Sequence, residues 1–182
     1  MIKERVARIQ REQVTGWFIA REDPPSVTYV ARTAVAAVAS YSIARLCGLP
    51  EAYWAPMSTL IVMQSTLDAA LPISVQHFAG TAIGATVGAL TASYFPQNAW
   101  SFGVALFLIG LLFVKLRVET STYRYASVTL AIVMLVTRST SPQSVAIHRF
   151  IEVSIGIAVG LLVFVLWRKI GWTAKSHFVS TS

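Results

Sequence analysis

The sequence predicts an all-α integral membrane protein with six transmembrane helices and both termini on the cytoplasmic side. Three observations carry that expectation. Of 182 residues, 55% are hydrophobic and 13% are charged, against about 25% charged in an ordinary soluble domain. Apolar stretches near the length of a bilayer crossing recur from Ser26 to Lys169, cut by prolines and short polar clusters. The few charges are unevenly placed along that pattern, as topology demands. A mean hydropathy of +0.61 fits the same class. It argues against a disordered chain, a nucleic-acid-binding module and most soluble enzymes.

The elements follow in order. Residues 1–27 hold Lys3, Arg5, Arg8, Arg11 and Arg21 against Glu4, Glu12, Glu22 and Asp23. Ile2, Val6, Ile9 and Trp17 fall near helical spacing, which reads either as an amphipathic helix on the membrane face or as a solvated arm. Pro24-Pro25 ends it. The membrane domain, 28–169, divides into spans at about 28–46, 52–67, 74–95, 99–116, 124–138 and 146–168, with Pro50, Pro72, Pro96 and Pro142 between them. Backbone in lipid must satisfy its own hydrogen bonds, and barrel-type alternation is absent, so these spans are read as helices. Residues 170–182 form a cytoplasmic tail.

Charge sets the orientation. An even number of spans leaves both ends on one side, together with the basic arm, Lys115, Arg117, Arg124, Arg168, Lys169 and Lys175. The other side holds only Arg45, Arg138 and Arg149, at span ends. The richer side is cytoplasmic by the positive-inside rule. Trp54 and Trp100 then mark the outer interface, and Trp167 and Trp172 the inner one. The net charge of +7 is thereby explained without a nucleic-acid partner.

Several chemistries lack their residues. One cysteine, Cys47, permits no intrachain disulfide and is read as inert packing at a loop end beside Gly48 and Pro50. His77, His148 and His177 are scattered, so no metal site is expected. No phosphate-binding GxxxxGK[ST] loop and no GxSxG elbow occurs. Neither a cofactor nor an enzymatic activity is expected.

An internal repeat is visible. Gln76–Leu90 can be laid on His148–Leu162, so that Phe, Ile, Gly, Val, Gly and Leu coincide, and Ile61-Val62-Met63 echoes Ile132-Val133-Met134. Spans three and six run in opposite directions, so a 3+3 inverted repeat is the expectation, an arrangement common in transporters with sites near the midplane. Chance agreement between Gly- and Ala-rich helices is the competing reading.

A handful of residues stands out within the spans. Gly80, Gly84 and Gly88, and Gly156 with Gly160, repeat at the spacing that lets helix backbones approach, so they are read as packing positions. Arg32 lies in span one, either facing a ligand or snorkelling to the cytoplasmic headgroups. Arg149 and Glu152, three apart at the start of span six, form an interfacial ion pair or a site in which the planar guanidinium takes a carboxylate. Ionisable groups in a membrane are costly and usually face a partner or an aqueous cavity. Span two opens Tyr53-Trp54-Ala55-Pro56 and continues through Ser58, Thr59 and Gln64, groups that either bind substrate or bond neighbouring helices. His77 is a structural hydrogen-bonder or, with Glu152, a candidate for proton coupling.

Tyr53-Trp54-Ala55-Pro56, Ser58-Thr59, Gln64, Gly80-Thr81 with Gly84, and Arg149-Phe150-Ile151-Glu152-Val153 with Gly156 together resemble the fusaric acid resistance protein-like family of aromatic acid exporters. The resemblance covers about residues 28–168. It implies a bacterial inner-membrane protein in efflux of aromatic carboxylic acids, and a distant similarity to plant malate channels, which are dimers of six-span subunits. Family members often carry an Arg three residues before the Gly-Thr, where this chain has His77. Long members hold two six-span units with soluble domains, whereas this chain has one unit, so a homodimer is expected.

The function expected is export of aromatic or other organic carboxylate anions. Arg149 and Arg32 would attract the carboxylate, Trp54, Tyr53, Thr59 and Gln64 would line the path, and Glu152 or His77 would couple a proton. A passive organic-anion channel and a non-transporting membrane subunit are the alternatives.

Overall fold

The computed structural model describes residues 26–64, 66–136 and 140–179, with side chains to Lys169. The expected amphipathic arm before Ser26, Arg138, and the side chains of Trp172, Lys175 and His177 lie outside them. The described residues form six helices and no strand: α1 (Val27–Leu46), α2 (Trp54–Val62), α3 (Leu67–Tyr94), α4 (Ala99–Leu116), α5 (Thr120–Leu135) and α6 (Pro142–Val179). Among the described residues, three segments are long and apolar enough to cross a membrane: α1, α4 and Pro142–Lys169 of α6.

The helix ends have local causes. Gly48 stops α1 with a φ of 71°, a left-handed conformation that costs glycine little. Its N–H donates to the Arg45 carbonyl at 3.0 Å, and the Leu49 N–H reaches the Ala44 carbonyl at 3.1 Å. Cys47 lies exposed in this turn rather than packed. Pro56 is the third residue of α2, where a backbone N–H has no helical partner to lose. Thr66 caps α3, its hydroxyl accepting from the Ala69 N–H at 3.3 Å, and Asp68 sits in the first turn beside the positive end of the helix dipole. Asn98 caps α4 in the same way through the Ser101 N–H at 2.9 Å. Pro142 opens α6, with φ already helical.

Several boundaries differ from the sequence expectation: α5 starts and ends a few residues before 124–138, and α6 runs from Pro142 to Val179, past the expected end at 168 and into the expected tail. The second apolar stretch, 52–67, yields only nine helical residues, because the chain turns extended at Met63 (φ −70°, ψ 102°). Nine residues rise about 13.5 Å, under half of a hydrocarbon core of about 30 Å. Conversely, α3 begins at Leu67 rather than near 74 and runs 28 residues with Pro72 inside it. Pro72 therefore interrupts no helix here; the break falls at the extended Met63 instead.

α3 packs chiefly on α5 and α6, α2 on α6, and α4 on α5. Small residues set these contacts. A Cβ on Gly84 would fall under 3.0 Å from the Ala126 backbone, and Gly88 faces Val133, so α3 and α5 run parallel. Gly156 meets the Ala55 backbone just as closely and Gly160 faces Val62, so α2 and α6 also run parallel. α3 and α6 are antiparallel: the Gln143 amide donates to the Ser93 hydroxyl at 2.6 Å, while Phe78 and Phe150 stack with ring centroids 5.0 Å apart. The glycines expected as packing positions thus lie in helix interfaces. Ala105, Ile109 and Phe113 of α4 complete a core with Ala126, Leu130 and Met134 of α5.

Candidate functional site: a buried cationic cavity

Where α2, α3, α5 and α6 meet, a cavity of about 420 Å³ opens, lined by Trp54, Met57, Ser58 and Ile61 of α2, His77 of α3, Arg124, Tyr125, Val128 and Thr129 of α5, and Arg149 of α6. That volume lies within the roughly 300–1,000 Å³ typical of small-molecule sites. Arg149 is only 4% exposed. Its guanidinium carbon lies 3.9 Å from the centre of the Trp54 ring. Such stacking contributes about 2 kcal/mol when desolvated. The Trp54 indole is itself steered by its N–H, which donates to the Glu51 carboxylate at 2.9 Å.

The facing wall repeats the arrangement with other residues. The His77 ring lies 4.3 Å from that of Tyr125, and Arg149 is near enough for its charge to act on the imidazole. Both His77 ring nitrogens, the Ser58 hydroxyl and the Thr129 hydroxyl are buried with no hydrogen-bond partner among the described residues. Buried polar groups are normally paired, and leaving one unpaired costs about 1–3 kcal/mol. A ligand or water in the cavity would satisfy all of them. The arrangement can therefore hold a small anion: a carboxylate against Arg149, an aromatic body between Trp54 and Tyr125, and hydrogen bonds from the remaining polar atoms.

A second cavity of about 430 Å³ lies between α3 and α6, lined by Ala82, Ala85, Ala89, Ala146 and Phe150 among others. Thr86 and Gln143 are its polar side chains and it carries no charge.

The model of the fusaric acid resistance protein-like family matches residues 35–163. The chain belongs to that family. The match spans every residue lining the cavity, with α2, α3, α5 and the first part of α6, and the family points to a membrane function of transport or efflux type rather than an enzymatic one. No curated protein and no solved structure matches the chain.

Within this member of the family, the residues singled out by sequence divide. Arg149, Trp54 and His77 come together at the cavity. Thr59 is fully buried in the α2–α6 contact, its hydroxyl directed at the Gly156 carbonyl at 2.8 Å and its own Ala55 carbonyl at 3.1 Å. Glu152 is 1% exposed one turn beyond Arg149 and is not among the lining residues. Tyr53 is half-exposed beside Trp54, with ring centroids 5.3 Å apart. Arg32 lies elsewhere. Its Nη2 donates to the Gln64 carbonyl at 2.7 Å, and its guanidinium stacks on Phe164 at 4.0 Å. The Gln64 side chain turns back to the Ile61 carbonyl at 3.1 Å. Arg32 and Gln64 thus join the far end of α2 to α1, away from Trp54 at its start.

Thr129, Tyr125 and Val128 were not singled out by sequence, and Arg124, expected as a cytoplasmic-side charge opposite Trp54 and Arg149, lines the same cavity as both. The alignment of Ile61–Met63 on Ile132–Met134 would have found the first three, because it carries Trp54 onto Tyr125, Met57 onto Val128 and Ser58 onto Thr129.

Proposed function

We propose that the protein is an inner-membrane exporter of aromatic or other organic carboxylate anions, binding them in the Arg149 cavity. The observation that carries this is a buried guanidinium on an aromatic face, at a cavity where the His77 ring nitrogens and the Ser58 and Thr129 hydroxyls have no hydrogen-bond partner among the described residues. A guanidinium presents a planar fork matched to a carboxylate, and ionisable groups within a membrane protein commonly mark a substrate path. The start of α2 also lies at the cavity, through Trp54, and a helix N-terminus favours negative charge.

The reading includes a 3+3 inverted repeat with both termini cytoplasmic, and the helix contacts support the repeat. Alignment carries Ala55 onto Ala126, Val62 onto Val133, Gly84 onto Gly156 and Gly88 onto Gly160. The close Gly84–Ala126 and Gly156–Ala55 contacts are then one contact made twice, as are Gly88–Val133 and Gly160–Val62. Phe78 and Phe150, equivalent to each other, stack together where a two-fold axis would pass. In this reading α2 is a broken helix with its start near midplane, the type of element on which transporters build sites. A homodimer would cover the apolar side chains that α4 exposes at Val104, Phe107, Leu108 and Leu111. In this reading Glu152 or His77 couples a proton.

Counterflow uptake of labelled benzoates and dicarboxylates into proteoliposomes, with and without a pH gradient, tests the reading. Arg149→Gln should abolish flux while leaving insertion and dimerisation intact. Normal flux in that variant would remove the anion site from the cavity, and steady current in a planar bilayer would make the protein a channel.

A further inference from the structure

The two walls of the cavity match residue by residue. The alignment that carries Gly84 onto Gly156 also carries His77 onto Arg149, and the one that carries Ala55 onto Ala126 carries Trp54 onto Tyr125 and Ser58 onto Thr129. All six residues line the same space. Each nitrogen-bearing group packs against the aromatic of its own wall: the Arg149 guanidinium lies over the Trp54 ring at 3.9 Å, and the His77 ring meets that of Tyr125 with centroids 4.3 Å apart at a tilt of 53°. Each wall also buries one hydroxyl, Ser58 or Thr129, at 1% exposure and without a hydrogen-bond partner. The walls differ mainly in charge: a guanidinium on one, an imidazole on the other.

We propose that the cavity is a pair of matched half-sites and that His77 is its specificity-determining residue, admitting an anion with one carboxylate and rejecting one with a second carboxylate on the opposite side. The proposal rests on the reading of the Arg149 cavity as an anion site. A monocarboxylate placed against Arg149 leaves its other end facing His77, Tyr125 and Thr129, which offer hydrogen bonds and no fixed charge. A second carboxylate there would be desolvated without a counter-charge, which is costly. Two other charges bear on the site. Arg124 lines the cavity but is exposed, so solvent screens it. Glu152, buried one turn from Arg149, is a further carboxyl and disfavours additional negative charge when ionised. Discrimination by an unmatched charge of this kind is a common route to specificity.

The test compares His77→Arg and His77→Lys with His77→Gln. The probes are benzoate and terephthalate, the latter bearing its second carboxylate across the ring. Equilibrium binding to purified protein and competition against labelled benzoate in proteoliposomes give the ratio of the two affinities. The wild type should favour benzoate. A cationic residue at 77 should move the ratio toward terephthalate by about tenfold or more, while Gln leaves it near the wild-type value. An unchanged ratio in a folded cationic variant overturns the proposal, as does a wild type that favours terephthalate. Failure of both cationic variants to insert also overturns it, since the matched wall is held to accommodate a guanidinium. If the wild type binds neither probe, the anion site itself is wrong, which is a different outcome from an intact benzoate site indifferent to residue 77.

Discussion

Replacing Gly84 with alanine adds one methyl group, and its surroundings determine the result. The new Cβ would fall under 3.0 Å from the carbonyl carbon and oxygen of Ala126, where ordinary contact begins at 3.4 Å. The obstacle is backbone rather than a flexible side chain, so α3 and α5 must separate along the interface that Gly80, Gly84 and Gly88 share. Overpacking of this kind costs about 1–3 kcal/mol, and a rigid obstacle places it at the upper end. The roughly 1 kcal/mol that alanine contributes over glycine in a helix offsets part of this. A net loss of about 2 kcal/mol corresponds to a melting temperature roughly 4–8 °C lower for a chain of this size. Gly156→Ala, against Ala55, should fall by a similar amount. Gly103→Ala meets nothing within 4 Å and should be neutral or stabilising. Thermal unfolding in detergent, followed by size-exclusion, reads all three. A Gly84→Ala protein that melts with the wild type, or a Gly103→Ala protein that falls as far, would refute the close-contact argument.

Three further outcomes are expected. Thr59→Val removes the hydroxyl directed at the Gly156 carbonyl. Interhelical hydrogen bonds in membranes are worth about 0.6 kcal/mol on average, so melting should fall by only a degree or two with flux retained. Arg32→Gln gives up the bond to the Gln64 carbonyl and the stack on Phe164; stability should drop while benzoate affinity holds, and lost affinity at unchanged stability would return Arg32 to the anion path. Ser58→Ala and Thr129→Val, measured by benzoate counterflow, should each raise KM several-fold with yield unchanged. An unaltered KM in both would show that these hydroxyls face water alone.

Much of the architecture was legible because membrane helices are written in composition. The stretches that became α1, α4 and α6 are long, apolar and bounded by prolines or charges; α1 and α4 lie close to their expected places, while α6 runs on past 168 to Val179. α2 was harder to bound, since Met63 and Gln64 are as compatible with a helix as with the extended turn they adopt. Pro72 misled for a related reason. Proline removes one hydrogen bond and bends a helix, yet α3 tolerates it in its second turn. The glycine positions were readable as packing sites from their spacing, but their partners Ala55 and Ala126 were not, because alanine is common on every face.

Arg149, Trp54 and His77 drew attention by residue type alone, as an ionisable or aromatic group in an apolar run must be accommodated somewhere. Sequence by itself determined the helical membrane class, the family and the small set of polar residues that a bilayer makes expensive. It did not determine which of them meet. Arg32 and Arg149 look alike in the chain, yet one tethers the end of α2 while the other stacks on its start, because the close approach of α2 to α6 at Gly156 sets which residues face each other. The tertiary structure alone assembled Thr129 and Tyr125 opposite Ser58 and Trp54. A contact across four helices depends on their mutual register, and that register is fixed by backbone approach at glycine rather than by any local pattern.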